Sequence, residues 1–235
     1  MKKIHATCCS ILSGALITFF SLPVSASVII DGTRVIYPSD AREVTVKLTN
    51  TGKRPVLVQS WLDTGNPDEM PDKVITPFIL TPPVNRVDAG KGQTLRINGA
   101  NTKTLRQDRE TVYWLNVLEI PARPEQAKSH ENYLQLAVRS RIKLFYRPSG
   151  LQGDANRAPE QLKWQAQAGN LVVTNPTPFN VSLTQITFNG KTVAADMVSP
   201  QGQRTIKAAV SSGSKITAYW VNDFGASKSQ DFTVN

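Results

Sequence analysis

Cysteine is almost missing from this chain. Among its 235 residues only Cys8 and Cys9 occur, and both fall in the first 26. Histidine is nearly as scarce, with His5 and His130 alone. Beyond residue 26 there is thus no cysteine and one histidine, too few to assemble a zinc or copper site of the usual nitrogen and sulfur donors. His130 stands in the polar stretch Lys128-Ser129-His130-Glu131-Asn132, which reads as a surface loop. No G-x-S-x-G elbow, phosphate loop or dinucleotide fingerprint is present. The carboxylates Asp68-Glu69 and Asp108 with Glu110 lie in Pro/Asn-rich or Arg-rich turns, where ion pairing explains them without catalysis. These absences argue against an enzyme, a metal, a cofactor or a small-molecule substrate. Also missing is any stretch of a dozen residues with a 3.6-residue apolar period, so helices are not expected to build the fold.

At the start of the chain there is a processing signal. Lys2 and Lys3 precede an apolar stretch from Ile11 to Val24, and Val24-Ser25-Ala26 has the small-residue spacing of a signal-peptidase site. The stretch is too short and too punctuated for a membrane anchor, which needs about 20 apolar residues. A lipid-modified Cys8 is disfavoured by the polar approach His5-Ala6-Thr7. Residues 1–26 are therefore expected to be a cleaved leader. Without Lys2 and Lys3 there remain 25 basic against 18 acidic side chains, a net charge of +7. The basic residues are dispersed and form no basic helix, which suits a solvated surface better than nucleic acid or a membrane.

The remainder reads as strands. Val44, Val46 and Leu48 alternate with Thr45, Lys47 and Thr49 in a half-buried strand, ended by the turn Asn50-Thr51-Gly52. Val56 to Leu62, Phe78 to Leu80 and Thr94 to Ile97 follow. Thr111 to Ile120 is apolar on both sides and is expected at the centre of a sheet, covered on both faces. Tyr133 to Tyr146 is the longest strand candidate. Turn residues punctuate these segments about every ten residues, as in a β-sandwich. Arg147-Pro148-Ser149-Gly150 looks like the end of one domain, and the polar run to Pro159 like a linker. Shorter strands follow at Leu162–Gln165, Leu171–Thr174, Val181–Phe188, Arg204–Lys207, Ile216–Val221 and Asp231–Val234. Asn189-Gly190 is a strong hairpin signal.

An ordered set of segments resembles the periplasmic chaperones of chaperone–usher pilus assembly, the PapD-like family. It comprises Gly32-Thr33-Arg34-Val35-Ile36-Tyr37-Pro38, Val58-Gln59-Ser60-Trp61, Leu80-Thr81-Pro82-Pro83, Gln107-Asp108-Arg109-Glu110, Trp114-Leu115-Asn116-Val117 and Ile120-Pro121. It continues with Leu134-Gln135-Leu136-Ala137, Arg141-Ile142-Lys143-Leu144-Phe145-Tyr146-Arg147-Pro148, Asn175-Pro176-Thr177-Pro178 and Asn222-Asp223-Phe224-Gly225. The resemblance implies an all-β fold of two immunoglobulin-like sandwiches in a boomerang arrangement. The first domain would span 27–147 and carry a donor strand, and the second would span 148–235. It implies a periplasmic, non-enzymatic protein whose partners are pilus subunits and an outer-membrane usher.

The resemblance also implies residue roles. Arg34 and Lys143 match two cations that bind the C-terminal carboxylate of a subunit; each alone could equally be a strand-edge charge that keeps the edge soluble. Leu134, Leu136 and Val138 match the alternating side chains lent to an incomplete subunit in donor-strand complementation. From the residues alone they fit a core-facing strand as well. An exposed apolar edge is an aggregation hazard, so free protein would shield it by self-association. Glu110, Arg147 and Asp223 match an ion cluster joining the domains. Pro55 and Pro82 match prolines facing the usher, though loop prolines are common. The segment Pro121 to Asn132 has only 12 residues and agrees with the short-loop branch of the family, which serves rod-like, adhesin-tipped pili. The rival readings are an exported pilus subunit or an exported hydrolase. The first lacks the expected cysteine pair and the second a nucleophile–base pair.

Overall fold

The computed structural model describes residues 27–122 and 135–235. Nine strands build the first half: β1 (Val28–Ile30), β2 (Arg34–Pro38), β3 (Glu43–Asn50), β4 (Val56–Asp63), β5 (Phe78–Thr81), β6 (Val84–Val87), β7 (Gly92–Gly99), β8 (Thr111–Pro121) and β9 (Val138–Arg147). They form two sheets, in the orders β1-β3-β7-β5 and β2-β9-β8-β4-β6. Val46, Leu48, Leu95 and Ile97 from the first sheet meet Val58, Leu62, Leu115, Val117 and Leu144 from the second in one buried cluster. Tyr37, Phe78, Tyr113 and Tyr146 close one part of it with ring centroids 5.0–6.3 Å apart, the spacing expected of tilted aromatic pairs.

The second half holds β10 (Lys163–Gln167), β11 (Asn170–Thr174), β12 (Leu183–Phe188), β13 (Lys191–Ala194), β14 (Gln203–Ile206), β15 (Lys215–Val221) and β16 (Ser227–Thr233). Their sheet orders are β10-β11-β14 and β13-β12-β15-β16. A separate cluster around Trp164, Leu171, Val173, Ile186, Ile216 and Ala218 forms its core. Phe188 faces Lys191 across a two-residue turn in which Asn189 and Gly190 both have positive φ, 49° and 70°. That is the mirror-image turn the Asn-Gly pair favours, because its twist matches that of the strands.

Several sequence expectations need correction. The strand expected from Tyr133 begins at Val138, and residues 135–137 are not in a strand. The segment from Arg147 to Pro159 is not a free linker, since Leu151 and Ala155 pack on the second core and Ala158 belongs to it. Strand β8 is central, as its composition suggests, but its two faces are unlike. Tyr113, Leu115 and Val117 are buried, whereas Trp114 and Leu118 on the other face are only partly covered.

Each core strand of the inner pair ends on a fully buried asparagine. Asn50, closing β3, donates from Nδ2 to the carbonyls of Arg54 and Val87 and accepts from the Gly52 N–H. Asn175, just after β11, donates to the carbonyls of Phe179, Val198 and Ser199 and accepts from the Thr177 N–H and hydroxyl. Each amide replaces backbone partners that an irregular turn cannot supply, which buried carbonyls require. Asn175→Ala should leave these groups unpaired and lower stability by about 3 kcal/mol or more. Thermal unfolding monitored by the emission of Trp164 and Trp220 should register the loss, whereas an unchanged midpoint would contradict this role.

Candidate functional site

The chain crosses between sheets at its first turn. β1 pairs with β3 in one sheet, while β2 pairs in parallel with β9 in the other. The β2 ladder begins at Arg34↔Lys143 and runs to Pro38↔Arg147. From Val138 to Ile142, β9 is paired only with β8, and among the described residues no strand occupies its other edge. The open edge ends where β2 begins, at Arg34 and Lys143.

These two cations are register partners and project from the same, outward face. The alternating neighbours Val35, Tyr37, Leu144 and Tyr146 are buried in the core. Arg34 reaches across to the second domain, donating from Nη1 to the Val221 carbonyl at 2.8 Å and to the Ser182 hydroxyl at 3.3 Å. Its Nε is buried without a partner. Burial pushes the Arg34 guanidinium pKa down, partly offset by Asp223. Burial likewise pushes Lys143 down; Asp196 opposes this, while Arg34 and Arg141 add to it. Neither has a carboxylate within 4 Å among the described ion pairs. Two half-buried cations short of negative charge make a site for an anion.

A second row supports the pair. Trp114, the register partner of Lys143 on β8, meets two cations, with the Lys143 Nζ 4.7 Å and the Arg141 guanidinium carbon 4.1 Å from ring centroids. Arg141 is held in turn by Asp63 at 2.6 and 3.2 Å, and Asp63 also accepts from Asn116 and the Gly65 N–H. Burial opposes ionisation of Asp63, but these donors outweigh it and hold its carboxyl below the usual range. Asp63, Trp114 and Arg141 went unrecognised in the sequence. The only signal was the i, i+2 spacing of Arg141 and Lys143, which puts both on one strand face.

At the domain junction Arg147 lies between Glu110 and Asp223. Its Nε donates to Glu110 at 2.6 Å, and its two terminal nitrogens grip Asp223 at 2.8 and 3.1 Å. Glu110 also accepts from the Asn180 N–H at 2.8 Å. Burial pushes the Glu110 carboxyl up, against the pull of Arg147 and Asn180. Arg147 is held charged by Asp223 and Glu110 against its own burial. The short contact and the direction of the Arg147 shift both fit an ionised cluster.

Of the three apolar side chains singled out, Leu136 is exposed and outside the described core, Val138 opens β9 half-buried, and Leu134 lies outside the described residues. The two prolines do not share a cavity. Pro55 lines one of about 300 Å³ with Leu57, Arg86, Ile120 and Pro121, and Pro82 lines another with Thr81, Gln93 and Arg96. The expected short loop, Pro121 to Asn132, lies outside the described residues from Arg123 on.

Removing Asp63 should show how far the row depends on it. Asp63→Ala leaves a largely buried guanidinium unpaired and should cost roughly 3–5 kcal/mol. Because the Asp63 pKa is depressed by folding, its contribution is complete above about pH 4 and disappears as acid protonates it. Asp63→Asn should accordingly weaken the fall in stability of the folded protein below pH 4, measured by denaturant titration.

Comparison with known proteins agrees with this architecture. Residues 27–152 match the family model described as the pili and flagellar-assembly chaperone, PapD N-terminal domain, and residues 157–232 match the PapD C-terminal domain. The chain is 44% identical to the chaperone protein MrkB of Klebsiella pneumoniae over the full length of both. It is also 44% identical to the probable fimbrial chaperone YadV of Escherichia coli, over 88% of this chain and 89% of that one. The crystal structure of YadV superposes with a TM-score of 0.74 at 41% identity, covering 88% of this chain and all of that one. The SafB chaperone of Salmonella enterica, solved in complex with the SafA pilin, gives a TM-score of 0.79 at 28% identity, covering 90% and 98%. With two immunoglobulin-like sandwiches matched from end to end, the chain belongs to the PapD family of pilus-assembly chaperones, which are not enzymes.

Proposed function

We propose that this chaperone captures incompletely folded pilus subunits on the open edge of β9, and holds each by its C-terminal carboxylate between Arg34 and Lys143. The observation that carries the reading is where the edge stops. A strand added to Val138–Ile142 and running parallel to β9 would bring its C-terminal end to Lys143, and could go no further because β2 holds the edge from there on. A chain end is what such a dead end accommodates, and two under-compensated cations are what a terminal carboxylate seeks. Backbone bonds along the edge would supply affinity. Leu134, Leu136 and Val138 would fill the groove of the subunit's missing strand.

The remaining roles follow. The leader 1–26 would send the chain to the periplasm and be removed there, leaving an N-terminal domain of 27–147 and a C-terminal domain of 148–235. The Glu110–Arg147–Asp223 cluster would set the angle between them. The cluster is largely buried rather than a surface ion pair, and its forked geometry fixes direction. The apolar cavity at Pro55, Leu57 and Ile120 suits a protein surface such as the usher's, and Pro82 would contribute from a separate face. One chaperone would serve one subunit, and the clients would build a rod with its own tip adhesin. Free chaperone would cover the edge by self-association.

Arg34→Ala or Lys143→Ala should abolish recovery of pilin with the chaperone from periplasm while leaving it folded. Each change half-pairs the carboxylate in a partly buried site, at about 2–5 kcal/mol. Normal pilin recovery with both variants would refute the anchor. Leu136→Glu should block capture with little change in melting temperature, since the side chain is exposed in the free protein. A sharp drop in melting temperature would instead make Leu136 a core residue.

A further inference from the structure

Strand β8 carries a carboxylate where its pattern calls for an apolar side chain. Tyr113, Leu115 and Val117 alternate into the first core, and Glu119, next on the same side, is buried with 8% of its surface exposed. Its carboxylate accepts from the Ser27 N–H and the Val28 N–H, both at 2.9 Å, and from the Ser27 hydroxyl. Among the described residues no lysine or arginine nitrogen lies within 4 Å of it. Its described partners are therefore all neutral donors.

Ser27 is seated as closely as its partner. Its carbonyl accepts from the Thr51 N–H at 2.7 Å and the Thr51 hydroxyl at 3.1 Å. A Cβ on Gly52 would stand 2.6 Å from the Ser27 Cβ, so the turn after β3 admits Ser27 only because residue 52 is glycine. The nitrogen of this residue, enclosed on its other polar atoms, is aimed at a buried carboxylate that has no cationic partner within 4 Å among the described residues.

We infer that Glu119 is a receptor for the α-ammonium group of Ser27, created when the leader is removed after Ala26; the inference rests on that processing reading. Hydrolysis of the Ala26–Ser27 bond consumes one water. The leader departs with the Ala26 carboxylate, and the Ser27 nitrogen changes from a neutral amide to a protonated amine. A hydrogen bond from a neutral amide onto the Glu119 carboxylate thereby becomes one from a charged ammonium, an ion pair. Because Glu119 belongs to β8 and Ser27 leads into β1, the new ion pair clips one sheet of the first domain to the other. Leader removal thus tightens the strand whose crossing leaves the edge of β9 open.

The test compares two full mature chains released from cleavable fusions, one beginning at Ser27 and one retaining Ser25 and Ala26, each with Glu119 and with Glu119→Gln. With Glu119, the chain beginning at Ser27 should melt about 2–4 °C higher, and the gap should vanish with Glu119→Gln. Equal melting temperatures with Glu119, or the same gap with Glu119→Gln, would overturn the inference. If Glu119→Gln fails to fold, α-acetylation of the chain beginning at Ser27 replaces it: the higher melting temperature should be lost, and its persistence would overturn the inference. The intact mass of exported protein tests the processing reading by itself. A first residue other than Ser27 would refute that reading, while the fusion-derived chains still decide the chemistry of Glu119.

Discussion

The fold depends on an unfinished strand pairing. A sandwich strand that stayed in one sheet would cover a neighbour along its whole length. Here the first strand divides, β1 pairing with β3 and β2 with β9 from Lys143 on, and half of β9 has no strand along one side among the described residues. Exposed edges template association, and most proteins blunt them. Here the crossing that exposes the edge also sets the point where anything added to it must end.

Charge compensation separates the site from the scaffold. Arg141 and Arg147 lie against carboxylates at 2.6 Å and serve as struts. Arg34 and Lys143, on the same sheet face, have no such partner among the described residues, and their pKa values are depressed by burial. Five basic residues within one strand pair thus divide into two held by carboxylates, Arg139, which donates to the Pro67 carbonyl, and two with no carboxylate within 4 Å among the described residues. Trp114 links the groups: both Arg141 and Lys143 lie against its indole.

Buried polar groups do similar work elsewhere. Asn50 and Asn175 fasten the turns that end the inner strands of the two domains, and Glu119 fastens Ser27 and Val28 across the first sandwich. None of these side chains contributes apolar area. Each instead fixes backbone that has no ladder partner, which is why a domain without disulfides among its described residues can keep irregular turns tightly placed.

Much was legible in the sequence. Period-two alternation marked β3 and β7, an apolar run marked β8 as central, Asn189-Gly190 marked a hairpin, and the ordered motifs carried the family and its two-domain plan. These signals are local, and strand pattern and turn chemistry act over a few residues. The sequence did not disclose where β9 begins, because alternation from Tyr133 looks the same whether or not a neighbouring strand is there to pair with it. It did not disclose that Asp63 and Arg141, 78 positions apart, hold Trp114 against Lys143, nor that Glu119 meets Ser27. Partners so distant are chosen by strand order and register, and those are decided only when the sheets assemble around a common core.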